Sequence, residues 1–476
     1  MRKIIALILL LNCITFSKTF NETKQIDEKI VYLTFNTEFE KAEKLINQEL
    51  KEDPKSLKYY FHKINTRLMR SVFIPDSLMI KNRRSYRDSL YGIWTKEVEE
   101  YLDKYEDTFE PTLENRFYIG GLYGFLGRMY GERSEWYSAF TNGKTAKNMY
   151  EDIIEEQPEF YDAYTALGML YYYSDRLGGV MGLVTSILGL SGDREKGLEY
   201  LHLAYDKGKI LNDQASILLM EIYNRLESNE EAALPFYEKF LIKYPKNKYV
   251  YMWYSWALIN ANEYKKLDKL IAEKEDIIEP FVKMLHFHQI GKYERSNNYR
   301  SEVEANKQRM WRRLYNHTQY IGAVNNLMLE QTEISDSLNN EQKKNYESVK
   351  ENLEESIYLF RFQNLVALMN NNELAERLIA DSKEFSHKPY NALFAFNCGI
   401  YFYKLNKYLK ADEYFLKAKS LESSGVKYDC IKYLISIYSK HKVEKAIVEK
   451  LIDEVDDMDN DRLTFRIRDL ENMYDL

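Results

Sequence analysis

The 476-residue chain is 45% apolar, 30% charged and 14% aromatic, with 41 Tyr and only 8 Pro. This composition excludes an intrinsically disordered chain and supplies enough apolar surface for a packed core. Its 67 basic and 74 acidic residues leave a net charge of -7, with both signs interleaved along the sequence. Because nucleic-acid-binding proteins concentrate basic residues in a patch, we do not expect a nucleic acid as partner.

The first residues have the organisation of an export signal. A basic start precedes an apolar run from Ile4, and small or polar residues follow by Ser17. Two processing routes fit: cleavage of a signal peptide over residues 1–17, or lipid attachment at Cys13 after a lipoprotein signal over 1–12. The run is too short to span about 30 Å of hydrocarbon, which disfavours a retained anchor. We expect an exported protein, periplasmic or associated with the outer membrane, and attached to a membrane only where Cys13 carries a lipid.

Helix-turn-helix patterns then recur along the chain. In FNTEFEKAEKLINQELKEDP, residues 35–54, the side chains of Phe39, Ala42 and Ile46 lie on one helical face. The same spacing of small, aromatic and aliphatic residues marks further segments, which are residues 144–158, 161–173, 230–245, 357–381 and 397–424. Polar breaks such as Asn406-Lys407 predict the turns between helices.

These segments resemble the tetratricopeptide repeat, a helix-turn-helix unit of about 34 residues. Small residues such as Gly168 and Ala411 would let antiparallel helices approach closely, while Tyr and Leu fill the remaining groove. Because one repeat cannot bury its apolar face alone, the repeats predict an all-α fold, a right-handed α-solenoid. We expect an N-terminal array over residues 22–332, a connecting loop over 333–345 and a C-terminal array over 346–476.

Glycine is concentrated in the part of the chain between Gly120 and Gly208. Gly120, Gly124, Gly127 and Gly131 form a stripe along one side of a helix, and each glycine weakens a helix by about 0.8 to 1.0 kcal/mol relative to alanine. Close packing of a neighbouring helix against this stripe is therefore expected to offset the loss of helix stability.

The apolar stretch RLGGVMGLVTSILGLSGDRE, residues 176–195, interrupts one repeat. The first helix of that repeat carries Tyr164 and Tyr171 as packing positions, and the second resumes at Gly197, which predicts an insertion over 175–192. Three interpretations stay open: a buried helix whose glycines pack on the earlier glycine stripe, a wall of a hydrophobic ligand site, or contact with the interface of a membrane.

A narrower resemblance covers about residues 115–260. The Gly-rich helix, Trp136, the segment YDAYTALGMLYYYSDRL, the apolar insertion and GDREKGLEYLHLA are similar to a group of exported bacterial tetratricopeptide proteins of unassigned function. This resemblance implies no catalytic residue.

Cysteine usage excludes a disulfide-rich scaffold, because the chain has only three cysteines. Cys398 and Cys430 remain after cleavage at Ser17, and export would permit one disulfide between them. Cys398 occupies a buried position of the repeat pattern, however, which favours a small apolar core residue.

Motifs that would carry chemistry are incomplete. The GKT of residues 143–145 ends like a phosphate-binding loop, but Ser138 stands where the first glycine belongs. His286 and His288 are two positions apart, so on a helix they point to different faces, which favours core or surface roles. In the acidic tail, Arg462 occupies the position at which a calcium loop needs glycine. We expect no enzyme, no cofactor and no metal site.

Recognition of a protein surface is the remaining expectation. The first helix of each tetratricopeptide repeat lines a concave face. The resemblance places on this face the candidate partner-binding residues Asp162, Thr165, Met169, Tyr172, Tyr173, Phe396, Ile400 and Tyr403. Tyrosine offers a large contact area and a hydroxyl, which suits a protein or peptide partner in the cell envelope, although tyrosines also pack between helices. The alternative is a carrier of a small hydrophobic ligand near the Gly-rich helices.

Overall fold

The computed structural model describes residues 25–73, 83–177, 189, 191–307, 310, 312–330, 338–421 and 425–476. Within these residues every regular element is helical, which confirms the predicted all-α class. In the same part of the chain, no helix combines the length and apolar character that crossing a bilayer requires. The export signal and Cys13 lie outside the described residues.

The chain divides into two compact units. The N-terminal unit comprises the residues up to Leu219 together with Glu238–Tyr249, and the C-terminal unit comprises Met220–Tyr237 together with Val250–Leu476. The division therefore falls far from the boundary expected at residues 333–345.

The helices are numbered here in chain order. Those before residue 220 are α1 (25–35), α2 (Phe39–Glu52), α3 (Leu57–Phe73), α4 (Arg83–Tyr105), α5 (Leu113–Glu132), α6 (Trp136–Glu156), α7 (Ala163–Arg176), α8 (Arg194–Lys207) and the start of α9 (Asn212–Glu221). Those up to residue 330 are α10 (Glu230–Lys243), α11 (Lys248–Asn260), α12 (Tyr264–Lys274), α13 (Pro280–Gln289), α14 (Tyr293–Asn298), α15 (Arg300–Ala305) and α16 (Arg312–Met328). Those after it are α17 (Asn340–Glu351), α18 (Leu353–Leu368), α19 (Asn372–Ala380), α20 (Lys388–Lys404), α21 (Tyr408–Ser420), α22 (Lys427–Lys440), α23 (Lys445–Asp457) and α24 (Asp461–Tyr474).

A tight turn of one backbone geometry recurs between consecutive helices. In each turn one residue has a left-handed backbone, and the N–H of the next residue donates to the carbonyl five positions before it. In one of these turns Asn406 is left-handed, and the N–H of Lys407 donates to the carbonyl of Phe402. The left-handed residues are Thr37, Ser134, Asn262, Gly291 and Asn406. Five positions after each of them comes a buried residue of the second helix, namely Ala42, Ala139, Leu267, Ser296 and Ala411. The chain thus repeats one helical hairpin, and the turn predicted at Asn406-Lys407 is confirmed.

The connecting loop expected over residues 333–345 is partly helical. Helix α17 begins at Asn340, and the side chains of Asn339 and Gln342 each accept the other's backbone N–H in a capping box. Residues 340–345 therefore belong to the first turns of a helix, contrary to the expectation.

Helices α7 and α8, which flank the predicted insertion, pack directly against each other. A Cβ atom on Gly168 would lie only 2.8 Å from the carbonyl oxygen of Gly197. The first and last residues of the predicted insertion, 175 and 192, also lie in contact, since a Cβ atom on Gly192 would lie 2.0 Å from the backbone nitrogen of Asp175. Residues 178–188, most of the insertion, lie outside the part that the structure describes.

The glycine stripe of α5 packs against α6. A Cβ atom on Gly124 would meet the Cβ atom of Ala146 at 3.8 Å, and one on Gly127 would lie 3.1 Å from the backbone nitrogen of Gly143. The second helix of its own hairpin therefore packs along this stripe, whereas the glycines of the insertion between residues 178 and 188 lie outside the described residues.

The first helix of the N-terminal unit contacts the last segment of the same unit. The amide of Asn247 donates from Nδ2 to the carbonyl of Phe35 at 2.7 Å, and the backbone N–H of Lys246 donates to Oδ1 of Asn36 at 3.0 Å. The ring of Phe35 also packs edge-on against Phe240, with 5.8 Å between the ring centroids. The unit therefore closes on itself through residues about 210 positions apart in sequence.

Candidate functional site

The histidines and cysteines that the sequence analysis considered have core roles. His286 is buried, and its Nε2 lies 2.9 Å from a carboxylate oxygen of Asp268. His288 pairs through Nδ1 with the side-chain oxygen of Asn325 at 2.7 Å. Burial lowers the pKa of both histidines. Cys398 and Cys430 are free and buried, which confirms the core role predicted for Cys398, and burial raises the pKa of both thiols.

Asp162, the first of the predicted partner-binding residues, holds a turn of its own chain. It is 7% exposed, and its Oδ1 atom accepts the backbone N–H groups of residues 209–211 at distances of 2.7 to 2.9 Å. These donors precede the first turn of α9, so the carboxylate fixes the connection from α8 to α9. Asp162 therefore has almost no surface to offer a partner, contrary to the prediction.

Two of the other predicted residues of α7 are also buried. The exposed fraction is 2% for Thr165 and 0% for Tyr172, whereas Met169 and Tyr173 are partly exposed. Gly197 explains the burial of Tyr172, because the missing side chain lets α8 come against the Tyr172 backbone. The structure does not bring these residues together as one accessible surface.

In the C-terminal unit, the positions predicted to line a groove meet other parts of the same unit. Ile400 and Tyr403 are buried, while Phe396 remains partly exposed. The hydroxyl of Tyr403 donates to a carboxylate oxygen of Glu231 at 2.7 Å and accepts from the ammonium of Lys440, also at 2.7 Å. Burial and the neighbouring Glu231 raise the pKa of Tyr403. The first turn of α10 thus occupies the predicted binding position.

Further polar contacts join α10 and the turn after α11 to α20 and α22 of the same unit. Lys432 of α22 pairs with Glu230 at 2.9 Å, with both side chains only 7% exposed. The amide of Asn262 donates to the hydroxyl of Tyr433 at 3.1 Å, and the ammonium of Lys404 donates to the carbonyl of Asn262. Because a buried charge is costly unless it is paired, these contacts fix α20 and α22 against the first turn of α10 and the turn after α11.

A row of tyrosine rings lies on α7, α8 and the turn before α7 in the N-terminal unit. We call Tyr161, Tyr164, Tyr200 and Tyr171 the tyrosine row. Successive ring centroids along it are 6.3, 4.8 and 5.9 Å apart. Tyr164 is buried, and the other three are partly exposed. The row is therefore a continuous series of neighbouring rings, three of which are partly exposed to solvent.

A network of charges holds one end of the tyrosine row in place. The hydroxyl of Tyr171 donates to Glu151 at 2.6 Å and accepts from Lys196 at 3.0 Å. The ammonium of Lys196 also lies 4.1 Å from the centroid of the Tyr171 ring, a cation–π contact. Burial alone would raise the pKa of Glu151, but hydrogen bonds from Lys147 and Tyr171 lower that pKa and keep the carboxylate charged.

This arrangement suits recognition of an extended protein segment. Rigid tyrosine rings supply apolar contact area at little entropic cost, and their hydroxyls and the nearby ammonium groups supply hydrogen bonds. The repeat pattern assigns Tyr164 and Tyr171 to helix packing and gives no signal for Tyr200, which lies on the other helix of the hairpin. The spacing of three from Tyr161 to Tyr164 and of seven from Tyr164 to Tyr171 is the signal that could have indicated the row.

No protein-family model matches the chain, and a comparison with curated protein sequences finds no significant match.

Proposed function

We propose that the chain is an exported tetratricopeptide-like scaffold, and not an enzyme, that binds a protein or peptide partner in the bacterial cell envelope. The recurring hairpin turn, with a buried residue five positions later, supports the tetratricopeptide resemblance. The basic start and apolar run of the N-terminal sequence support export.

The tyrosine row carries this proposal. It supplies a strip of rings whose positions are fixed by packing and by the contacts of Tyr171 with Glu151 and Lys196. A surface that is already ordered loses little entropy when it binds, so more of the contact energy becomes affinity.

Substitution within the row tests the proposal. A photo-crosslinking amino acid at Tyr161 identifies the partner in envelope extract, and its affinity is then measured for the double variant Tyr161→Ser with Tyr200→Ser. Both side chains are partly exposed, so the fold should persist. We expect binding to weaken at least about tenfold, because truncating tyrosine at the centre of an interface commonly costs more than about 1 kcal/mol.

The control is Tyr137→Ser, which removes a tyrosine of the same unit that is 79% exposed and outside the row. This variant should bind the partner like the unchanged protein. Equal affinity of the double variant and the control would refute the role of the tyrosine row.

The alternative function, a carrier whose ligand lies between the Gly-rich helices and the insertion, is not favoured by the described residues. The glycine stripe on the α5 side is already covered by Ala146 and Gly143 of α6.

A further inference from the structure

The C-terminal unit contains a cavity of about 330 Å³ beside α18 that opens widely to solvent. Its apolar walls come from α18, from the end of α13 and from the end of α16. They include Ile290, Met328, Ile357, Leu365 and Leu368. Ligand sites in proteins commonly start at about 300 Å³, so the cavity has room for one small molecule.

Helix α18 is apolar on two faces: one is buried in the core, and the other lines the cavity, with Leu365 also packing against the edge of the core. Leu359, Phe362 and Val366 are at most 2% exposed and pack into the core of the C-terminal unit. The cavity face instead carries Ile357 and Leu365, eight positions apart, and Ile357 is 49% exposed. Because residues four and eight apart share a helix face, this second stripe continues through position 361.

Arg361 stands on the cavity face between the two apolar residues. Its side chain is exposed, and among the described residues no carboxylate pairs with it. Many other arginines of the chain form an ion pair with a carboxylate. Arg377, for example, lies 3.2 Å from a carboxylate oxygen of Glu373. The cavity is largely apolar, although Tyr293, Asn364 and Asn370 also line it, and Asn364 donates to the hydroxyl of Tyr293. The guanidinium of Arg361 beside these apolar walls is suited to a ligand that brings its own anion.

We propose that this cavity binds a small aliphatic carboxylate, with the carboxylate on Arg361 and the aliphatic chain between Ile357, Leu365 and Met328. A guanidinium can hold a carboxylate by two parallel hydrogen bonds, which fixes the orientation of the head group. Each methylene of the ligand that leaves water contributes about 0.8 kcal/mol, so affinity should grow with chain length until the cavity is full.

Titration calorimetry with decanoate, below the concentration at which it forms micelles, tests this proposal. We expect saturable binding with one site per chain. Decanol, which lacks the charge, and acetate, which lacks the chain, should each bind at least tenfold more weakly.

Two variants locate the site. Arg361→Gln should weaken decanoate binding at least tenfold, and Ile357→Asp should weaken it similarly by placing a like charge beside the carboxylate. Both positions are exposed, so neither variant should unfold the unit. Arg377→Gln, at an exposed arginine on α19, is the matched control and should bind normally. The proposal is overturned if decanoate shows no saturable binding, if decanol binds equally well, or if Arg361→Gln binds like the control.

Discussion

Individual glycines of the hairpins differ in what surrounds them. A Cβ atom on Gly168 would lie 2.8 Å from the carbonyl oxygen of Gly197 and 2.9 Å from the backbone nitrogen of Leu201, and backbone atoms cannot rotate away. A Cβ atom on Gly124 would meet only the Cβ atom of Ala146, at an ordinary contact distance of 3.8 Å. A methyl group would therefore overlap backbone atoms at Gly168 but would fit at Gly124.

Alanine substitutions at these two positions should have opposite effects on stability. Alanine favours a helix by about 0.8 to 1.0 kcal/mol over glycine. At Gly168 the overlap outweighs this gain, and overpacking should lower the free energy of unfolding by about 1 to 3 kcal/mol. At Gly124 the gain should remain. Urea unfolding of Gly168→Ala and Gly124→Ala measures both, and a Gly168→Ala variant as stable as the unchanged protein would show that α7 and α8 are farther apart than described.

Tyrosine shows where inference from sequence stops at the residue scale. Tyr171 and Tyr172 are neighbours in sequence, yet Tyr172 is fully buried while Tyr171 lies in the tyrosine row. Adjacent residues of a helix point about 100° apart, so a small error in assigning faces exchanges a core residue for a surface residue. The amphipathic tyrosine side chain occurs both in cores and at surfaces, so residue type alone does not separate a buried tyrosine from an exposed one.

At the scale of elements, the recurring turn places residues other than glycine in the left-handed region. Thr37 has φ of 62° and Asn406 has φ of 56°. The left-handed region costs an L-residue roughly 1 to 2 kcal/mol, least for asparagine and most for a β-branched residue such as threonine.

Glycine substitutions should reveal this difference. Thr37→Gly is expected to raise the free energy of unfolding by about 1 kcal/mol, because glycine adopts positive φ without a Cβ clash. Asn406→Gly should change it by only a few tenths of a kcal/mol, since asparagine already tolerates the conformation. Thermal or urea unfolding gives both values. A clear destabilisation by Thr37→Gly would mean that the turn between α1 and α2 does not have the described geometry.

Helices with a regular spacing of apolar residues could be predicted from the sequence, whereas a polar helix could not. Ala42 and Ala411 are fully buried on the second helices of hairpins, as their spacing predicts. The first turns of helix α17 escaped prediction because it is a polar helix whose buried residues are Tyr346 and Val349, too few to give an apolar period. Its start is encoded instead by a capping box, a signal that polar composition obscures.

At the scale of the whole molecule, contacts between distant parts of the chain decide which surfaces stay open. Repeat periodicity identifies each helix and its neighbour in sequence, but it carries no information on residues some 200 positions apart. The contact of Asn247 with Phe35 and that of Tyr403 with Glu231 join such residues within the N-terminal and C-terminal units, respectively. For this reason a concave binding site was expected at positions that the chain itself covers.

The closure of each unit also bears on function. Tyr403 and Ile400 would have to leave their present contacts before a partner could bind there, and the buried pair of Lys432 with Glu230 opposes such opening. Three rings of the tyrosine row are already partly exposed, which is why we propose partner binding there.

Zero-length carbodiimide cross-linking of the dilute purified protein tests the closure of both units most directly. The reagent joins an amine to a carboxylate only where the two are in contact. Lys246 lies 3.3 Å from Glu38 in the N-terminal unit, and Lys440 lies 3.3 Å from Glu231 in the C-terminal unit. We predict that mass spectrometry detects both cross-links, and that a mixture of isotopically light and heavy chains shows each within a single chain. Absence of both, or formation only between chains, would contradict the closed units.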